Sequence, residues 1–150
     1  MRVLVQEAPF DFGAEANAFA DAAGTTDGAI VTFTGVVRDL ARGDLDVMEI
    51  EHYPGMTERA LTQIAQEATA RWDLGDVLVI HRYGPLHPGE KIMMVATAAA
   101  HRAAAFEAAD FLMDYLKSRA PFWKKEHTTA AAEWVAAKDT DEDALTRWRD

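Results

Sequence analysis

Residues 101–125, HRAAAFEAADFLMDYLKSRAPFWKK, decide how the rest of the chain is read. Ala105, Ala109, Leu112 and Leu116 recur at helical spacing, and Phe106, Phe111 and Met113 widen the apolar stripe, so the spacing predicts a helix with its inner face in the core. Pro121 has no amide hydrogen and disfavours the α conformation for Ala120, which ends that helix near Arg119. The chain then leaves as Phe122-Trp123-Lys124-Lys125. Lys117, Arg119, Lys124 and Lys125 crowd within nine positions of a sequence that carries 25 acidic and only 15 basic residues.

The flanking sequence supplies strands for this helix to cover. Residues 91–100 read as a strand running straight into His101, and residues 77–83 as another, with Gly84-Pro85 and Pro88-Gly89 marking a turn region between them. Residues 29–38 are rich in β-branched side chains and read as a central strand. Residues 39–46, charged and containing Gly43, read as a mobile surface loop before a strand over 47–53. Ala60, Leu61, Ile64 and Ala68 mark a second helix from Met56 to about Trp72. At the N-terminus, residues 2–6 alternate like a short strand, and Asp11 can cap a helix over 12–22. At the other end, residues 133–136 form a short strand, and the acidic run from Asp139 to Asp143 opens a terminal helix reaching Trp148. The order βαββαββαβα predicts one α+β domain over residues 1–150, its sheet strands covered by helices.

Composition removes whole classes of function. A formal net charge of -10 repels DNA, RNA and anionic membranes, so neither nucleic acid nor a membrane is an expected partner. The N-terminal stretch lacks the apolar core of a signal peptide, and no segment approaches the roughly 20 apolar residues that span a bilayer, which predicts a cytoplasmic protein. The absence of cysteine excludes disulfides, thiolate nucleophiles, persulfide carriers and thiolate metal sites. Any sulfur chemistry here uses sulfur carried by another molecule. The five histidines, at 52, 81, 87, 101 and 127, form no metal-ligand pattern, and there is no glycine-rich phosphate fingerprint, so neither metal nor cofactor is expected.

Three places could carry chemistry. His101-Arg102 stands where a strand gives way to a helix, so exposed amide hydrogens and the helix dipole favour an anion such as phosphate; the alternative is an ordinary Arg102–Glu107 ion pair. Lys117 borders the buried stripe among other cations, conditions that lower a lysine pKa and free its amine as base or nucleophile. Against this, a helix C-terminus favours the ammonium form, and Asp114 could hold Lys117 in a surface pair. Arg38 closes the apolar 29–38 strand, either at a site or in solvent. Lys124 and Lys125, being adjacent on an extended chain, point oppositely, so at most one faces the pocket of Lys117.

The strings VTFTGVVR (31–38), EHYPGMTE (51–58), IHRYGPLHPGE (80–90), AHRAAAFEA (100–108) and MDYLKSRAPFWKKE (113–126) together resemble the molybdopterin synthase catalytic, or large, subunit family of the MoaE type. The blocks follow family order and cover most of the chain. The resemblance implies an α/β hammerhead fold with an additional antiparallel β-sheet. It implies a sulfurtransferase that moves sulfur from the thiocarboxylated C-terminus of a small ubiquitin-like carrier subunit to cyclic pyranopterin monophosphate. The product would be the dithiolene of molybdopterin, in molybdenum cofactor biosynthesis. It further implies a homodimer within a heterotetramer.

By position, Lys117 resembles the family's essential lysine and Lys124 its second important lysine; both are the implied catalytic residues and also bind substrate. Lys125 and Glu126 continue that substrate-binding block, and His101 and Arg102 resemble an anion-binding pair contributed by the neighbouring subunit. Val36, Val37 and Arg38 match a strand-end segment that contacts substrate, although many relatives carry a basic residue where Val36 stands. Lys138 falls where some relatives have arginine. Two other functions fit the residues alone: a non-catalytic module that binds a ubiquitin-like partner, and a Schiff-base lysine enzyme acting on a phosphorylated carbonyl compound.

Overall fold

The computed structural model describes residues 1–129, 131–136 and 138–149. Eight strands and four helices alternate among them: β1 (Arg2–Gln6), α1 (Phe12–Ala22), β2 (Ala29–Val36), β3 (Leu45–His52), α2 (Met56–Trp72), β4 (Asp76–Arg82), β5 (Gly84–Leu86), β6 (Lys91–Ala99), α3 (Arg102–Ser118), β7 (Phe122–Thr128), β8 (Ala132–Trp134) and α4 (Asp139–Ala144), with a 3₁₀ turn over Leu145–Trp148. The strands form two four-stranded sheets, ordered β1-β4-β6-β2 and β5-β3-β7-β8. Only the β1–β4 pairing is parallel, so the second sheet is wholly antiparallel.

β4 and β6 are buried along almost their whole length because the first sheet has core on both faces. On one face Leu78, Ile80, Met94, Ala96 and Ala98 meet Phe19 of α1. On the other, Val77, Val79 and Val95 pack with Ala105, Ala108, Phe111 and Leu112 of α3 and Leu61 and Ile64 of α2. A strand covered on both sides reads as a continuous apolar run, which is the pattern of these two strands.

The expected central strand, β2, is instead an edge strand paired only with β6. Its β-branched residues alternate between half-buried and exposed, and Phe33 is 43% exposed. The central places belong to β4 and β6, whose side chains are buried in both directions. β2 also ends two residues early, at an irregularity between Gly35 and Val36. Val37 then turns inward, donating its N–H to the Glu90 carbonyl at 2.8 Å and accepting from the Gly89 N–H at 2.8 Å, while Arg38 leaves the strand exposed.

Two strands were hidden from pattern reading. Within the expected 84–89 turn, Gly84–Leu86 forms β5 and pairs with β3, Gly84 adopting φ +92°, which favours glycine. Beyond Pro121 the chain forms β7 and pairs with β3 from Phe122 to Thr128. The 39–46 loop is shorter than expected because β3 starts at the buried Leu45, whose N–H bonds the Asp39 carboxylate at 3.1 Å. In α3, Phe106 does not widen the apolar stripe: it is 61% exposed, and Ala105, Ala108 and Ala109 supply the inner face there. The terminal helix stops at Ala144 and tightens into the 3₁₀ turn, which is clamped to α3 by Trp148 Nε1–H and Arg147 donating to Asp114 Oδ2 at 2.6 and 2.7 Å. Among the described residues no helix is long and apolar enough to cross a membrane.

Candidate active site

The cationic end of α3 is built by a reversal of the chain. Leu116 is buried, and the Tyr115 carbonyl accepts from Arg119 N–H at 2.7 Å and Ala120 N–H at 3.2 Å as the helix closes against Pro121. The wholly buried Thr57 hydroxyl donates to the Pro121 carbonyl at 3.0 Å and accepts the Tyr53 N–H at 2.9 Å, pinning the reversal to the start of α2. β7 therefore returns beside the helix end with a fixed register. Lys124 lies opposite the buried Ile50, and Lys125 opposite Glu49, so the two lysines occupy opposite faces. Lys124 takes the inner face with Phe122 and Glu126. Lys125 takes the outer one, its ammonium 5.1 Å from the Trp134 ring centroid.

Lys117 and Lys138 then come within electrostatic reach of Lys124. Burial lowers the pKa of half-buried Lys124 below the ordinary lysine value, the nearby Lys117 charge lowers it further and Lys138 adds to this, while Asp141 opposes them. Asp141 is held there through its carbonyl, which accepts from Ser118 Oγ–H at 3.0 Å. The lysine displaced toward its neutral amine is thus Lys124, while Lys117 stands exposed at the rim. Asp114 does not hold Lys117, because Trp148 and Arg147 occupy its carboxylate.

Sequence reading passed over one residue of this cluster. His81, 5% exposed near the end of β4, stacks on Phe122 with ring centroids 3.7 Å apart and an interplanar angle of 18°. Its Nδ1 lies 2.8 Å from the Arg82 carbonyl, and since a carbonyl only accepts, Nδ1 carries the proton of the neutral ring. Burial first, then the charges of Lys124 and Lys117, lower the His81 pKa to about 3. The strand alternation held a usable signal, since His81 shares its face with Val77 and Val79, both core residues.

His101 and Arg102 belong to the other end of α3. The helix has 17 residues, so they lie about 24 Å along its axis from Lys117 in the same chain. There Gly28, Ala29, Ala100, His101, Arg102 and Ala103 line an open cleft of about 420 Å³. A Cβ on Gly28 would stand 2.7 Å from the Ala100 carbonyl oxygen, so glycine permits that close approach. Glu107 accepts the Trp72 indole N–H at 2.8 Å, and among the described residues it forms no pair with Arg102.

The sheet register separates the remaining candidates. Ala29 pairs with Ala99, near His101, whereas Val36 pairs with Lys91 at the opposite end. Because α3 runs back along β6, Val36, Val37 and Arg38 share the sheet end of Lys117 and Lys124. Glu126 stands two residues along the inner face from Lys124, across from Met48 and Glu133. Among the described residues no group of three or more His, Asp or Glu side chains could hold a metal.

An α+β domain with one lysine-rich, half-buried end and one exposed His-Arg end is suited to handling anionic ligands. The family model for the MoaE protein matches residues 5–119. A molybdopterin synthase catalytic subunit from Cereibacter sphaeroides is 72% identical over 148 residues, covering 99% of this chain and 100% of the relative. A solved structure of molybdopterin cofactor biosynthesis protein E from Burkholderia multivorans superposes with a TM-score of 0.81 at 50% identity, covering 97% of this chain and 94% of the other. A protein-protein complex of subunits 1 and 2 of molybdopterin-converting factor from Helicobacter pylori shares the fold, with a TM-score of 0.77 at 16% identity, covering 91% of each chain. The chain belongs to the MoaE protein family.

Proposed function

We propose that the chain is the catalytic subunit of a molybdopterin synthase, transferring sulfur from a thiocarboxylated small carrier subunit to cyclic pyranopterin monophosphate. The observation that carries this reading is the convergence of Lys117 with the half-buried, pKa-lowered Lys124 at the end of α3. A chain without cysteine must receive its sulfur from elsewhere, and a thiocarboxylate brings it already activated.

In this reading Lys117 draws the anionic thiocarboxylate and substrate together by its charge, and Lys124, its proton affinity lowered by burial and by its neighbours, moves protons during carbon–sulfur bond formation. Arg38, on the same end of the sheet, and the backbone of Val36 and Val37 contact the substrate. Lys125 and Glu126 support the β7 segment, and Lys138 adds positive charge. Positioning and charge stabilisation carry most of the acceleration, proton transfer contributing about 10²–10⁴-fold.

His101 and Arg102 enter the same pocket from a second copy of the chain, because within one copy α3 holds them about 24 Å away. The working unit is then a homodimer bearing two carrier subunits, and the lack of cysteine suits a reducing cytoplasm. The test combines purified protein, thiocarboxylated carrier and cyclic pyranopterin monophosphate, and assays molybdopterin. Product from the wild type and none from Lys117→Ala is expected. No product from the wild type would refute the assignment.

A further inference from the structure

His81 sits inside the lysine cluster without any role in the reading above. Its ring lies flat on Phe122, which is two residues from Lys124 on the same face of β7. Phe122 also packs against the core that contains Leu116, the residue before Lys117. On the first sheet its register partners are Val5 and Met93, neither of them charged. With Nδ1–H directed to the Arg82 carbonyl, Nε2 is left as a lone-pair acceptor. We propose, building on the synthase reading, that His81 is a positioning residue for sulfur transfer: its imidazole seats Phe122, and with it Lys124, while presenting the two lysines with no counter-charge.

The chemistry of the alternatives explains the choice of side chain. A carboxylate at this place would pair with the ammonium groups and hold Lys124 protonated. An aliphatic residue would lose both the stacked face and the hydrogen bond to Arg82. Imidazole supplies the flat surface and one donor, and burial together with the Lys124 and Lys117 charges keeps it neutral. The other groups that bear on Lys124 are Lys117 from α3 and Lys138 and Asp141 from the C-terminal segment, of which only Asp141 favours the ammonium. Along β7 the next residue on the same face is Glu126, and β3 places uncharged Ile50 directly opposite.

The experiment follows the side-chain nitrogens of labelled lysine by NMR titration of the free protein, with the pH dependence of kcat measured in parallel. In His81→Asp, Lys124 should titrate about one to three pH units higher than in the wild type, and the acid limb of kcat should move with it. In His81→Asn, which keeps a donor for the Arg82 carbonyl and adds no charge, Lys124 should titrate where it does in the wild type. An unmoved lysine or limb in His81→Asp, or equal displacement in both variants, overturns the proposal. If His81→Asp does not fold, the imidazole nitrogens of the wild type decide the matter. They should report a neutral Nδ1–H ring from about pH 8 to about pH 4.5, and protonation inside that range overturns it. Wild-type protein that makes no molybdopterin refutes the synthase reading. Wild-type protein that makes it while the lysine titration is unaffected by His81→Asp refutes only the part assigned to His81.

Discussion

The two ends of α3 carry basic side chains in opposite surroundings. At the N-terminal end His101 and Arg102 stand in the open, beside a cleft lined by glycine and alanine. At the C-terminal end Lys117 and Lys124 are gathered with His81 by β4 and β7, and the C-terminal segment adds Lys138 and Asp141. Charges that stand in the open are screened by solvent. Crowded, half-buried cations repel one another and lose water, which lowers the proton affinity of Lys124. Charge alone does not perturb a lysine; its neighbours and its burial do.

The strongest way to break this contrast is at the crowded end. Lys117→Ala should lower kcat by about 10²–10³-fold while its thermal midpoint stays close to the wild type, because the side chain is exposed. Lys117→Arg sharpens the question, since it keeps the charge but cannot offer a neutral amine. Wild-type turnover in Lys117→Ala would dissolve the distinction between the two ends, whereas Lys117→Arg should keep most of the activity of a side chain that acts by its charge.

At the open end the expected effect is smaller and of another kind. Arg102→Ala should raise KM for the phosphorylated substrate by roughly 10-fold or more, with a lesser change in kcat, as expected for a lost charged hydrogen bond. If the two ends meet only across a dimer, mixing Lys117→Ala chains with Arg102→Ala chains should rebuild one complete site in each mixed dimer. At substrate well below KM, roughly a quarter of wild-type activity would return after random exchange of equal amounts of the two chains. No recovery after demonstrated exchange would place both ends in separate functions.

Acid should reveal the crowding as a stability term. The unfolded chain takes up a proton at His81 near pH 6.5, whereas the folded chain refuses it until about pH 3. Between those values the unfolded state binds more protons, so the stability contributed by the neutral ring is present above pH 6.5 and is lost as pH falls, by about 1.4 kcal/mol per pH unit. Urea unfolding at several pH values should show a shallower acid loss in His81→Asn than in the wild type. Equal slopes would mean that His81 is protonated in the folded protein. The smallest effect belongs to Phe106, near the open end: Phe106→Ser should change stability by under about 0.5 kcal/mol, against about 3–5 kcal/mol for Phe111→Ala in the core.

How much of this was readable depended on whether the signal was local. α3 and its stop were legible, because helical spacing and Pro121 both act within a few residues. β5 and β7 were not, since Gly84-Pro85 and Lys124-Lys125-Glu126 lack strand composition and become strands by pairing with β3, far off in sequence. β-branched content marked β2 as a strand but could not give its lateral place in the sheet. The expectation that only one of Lys124 and Lys125 faces Lys117 followed from simple alternation and agrees with the register. That the lowered pKa belongs to Lys124, and that His81 adjoins both lysines, arises from tertiary packing that no short window of sequence contains.

The Thr57 hydroxyl joins three parts of the chain through a single oxygen: the end of β3, the first turn of α2 and the bend before β7. The spacing of the Lys117 and Lys124 amines is consequently set in part by a fully buried residue outside their cluster. An isosteric Thr57→Val exchange would leave the interior volume nearly unchanged while unfastening that bend, making this buried alcohol a remote adjusting screw for the geometry of the lysine cluster.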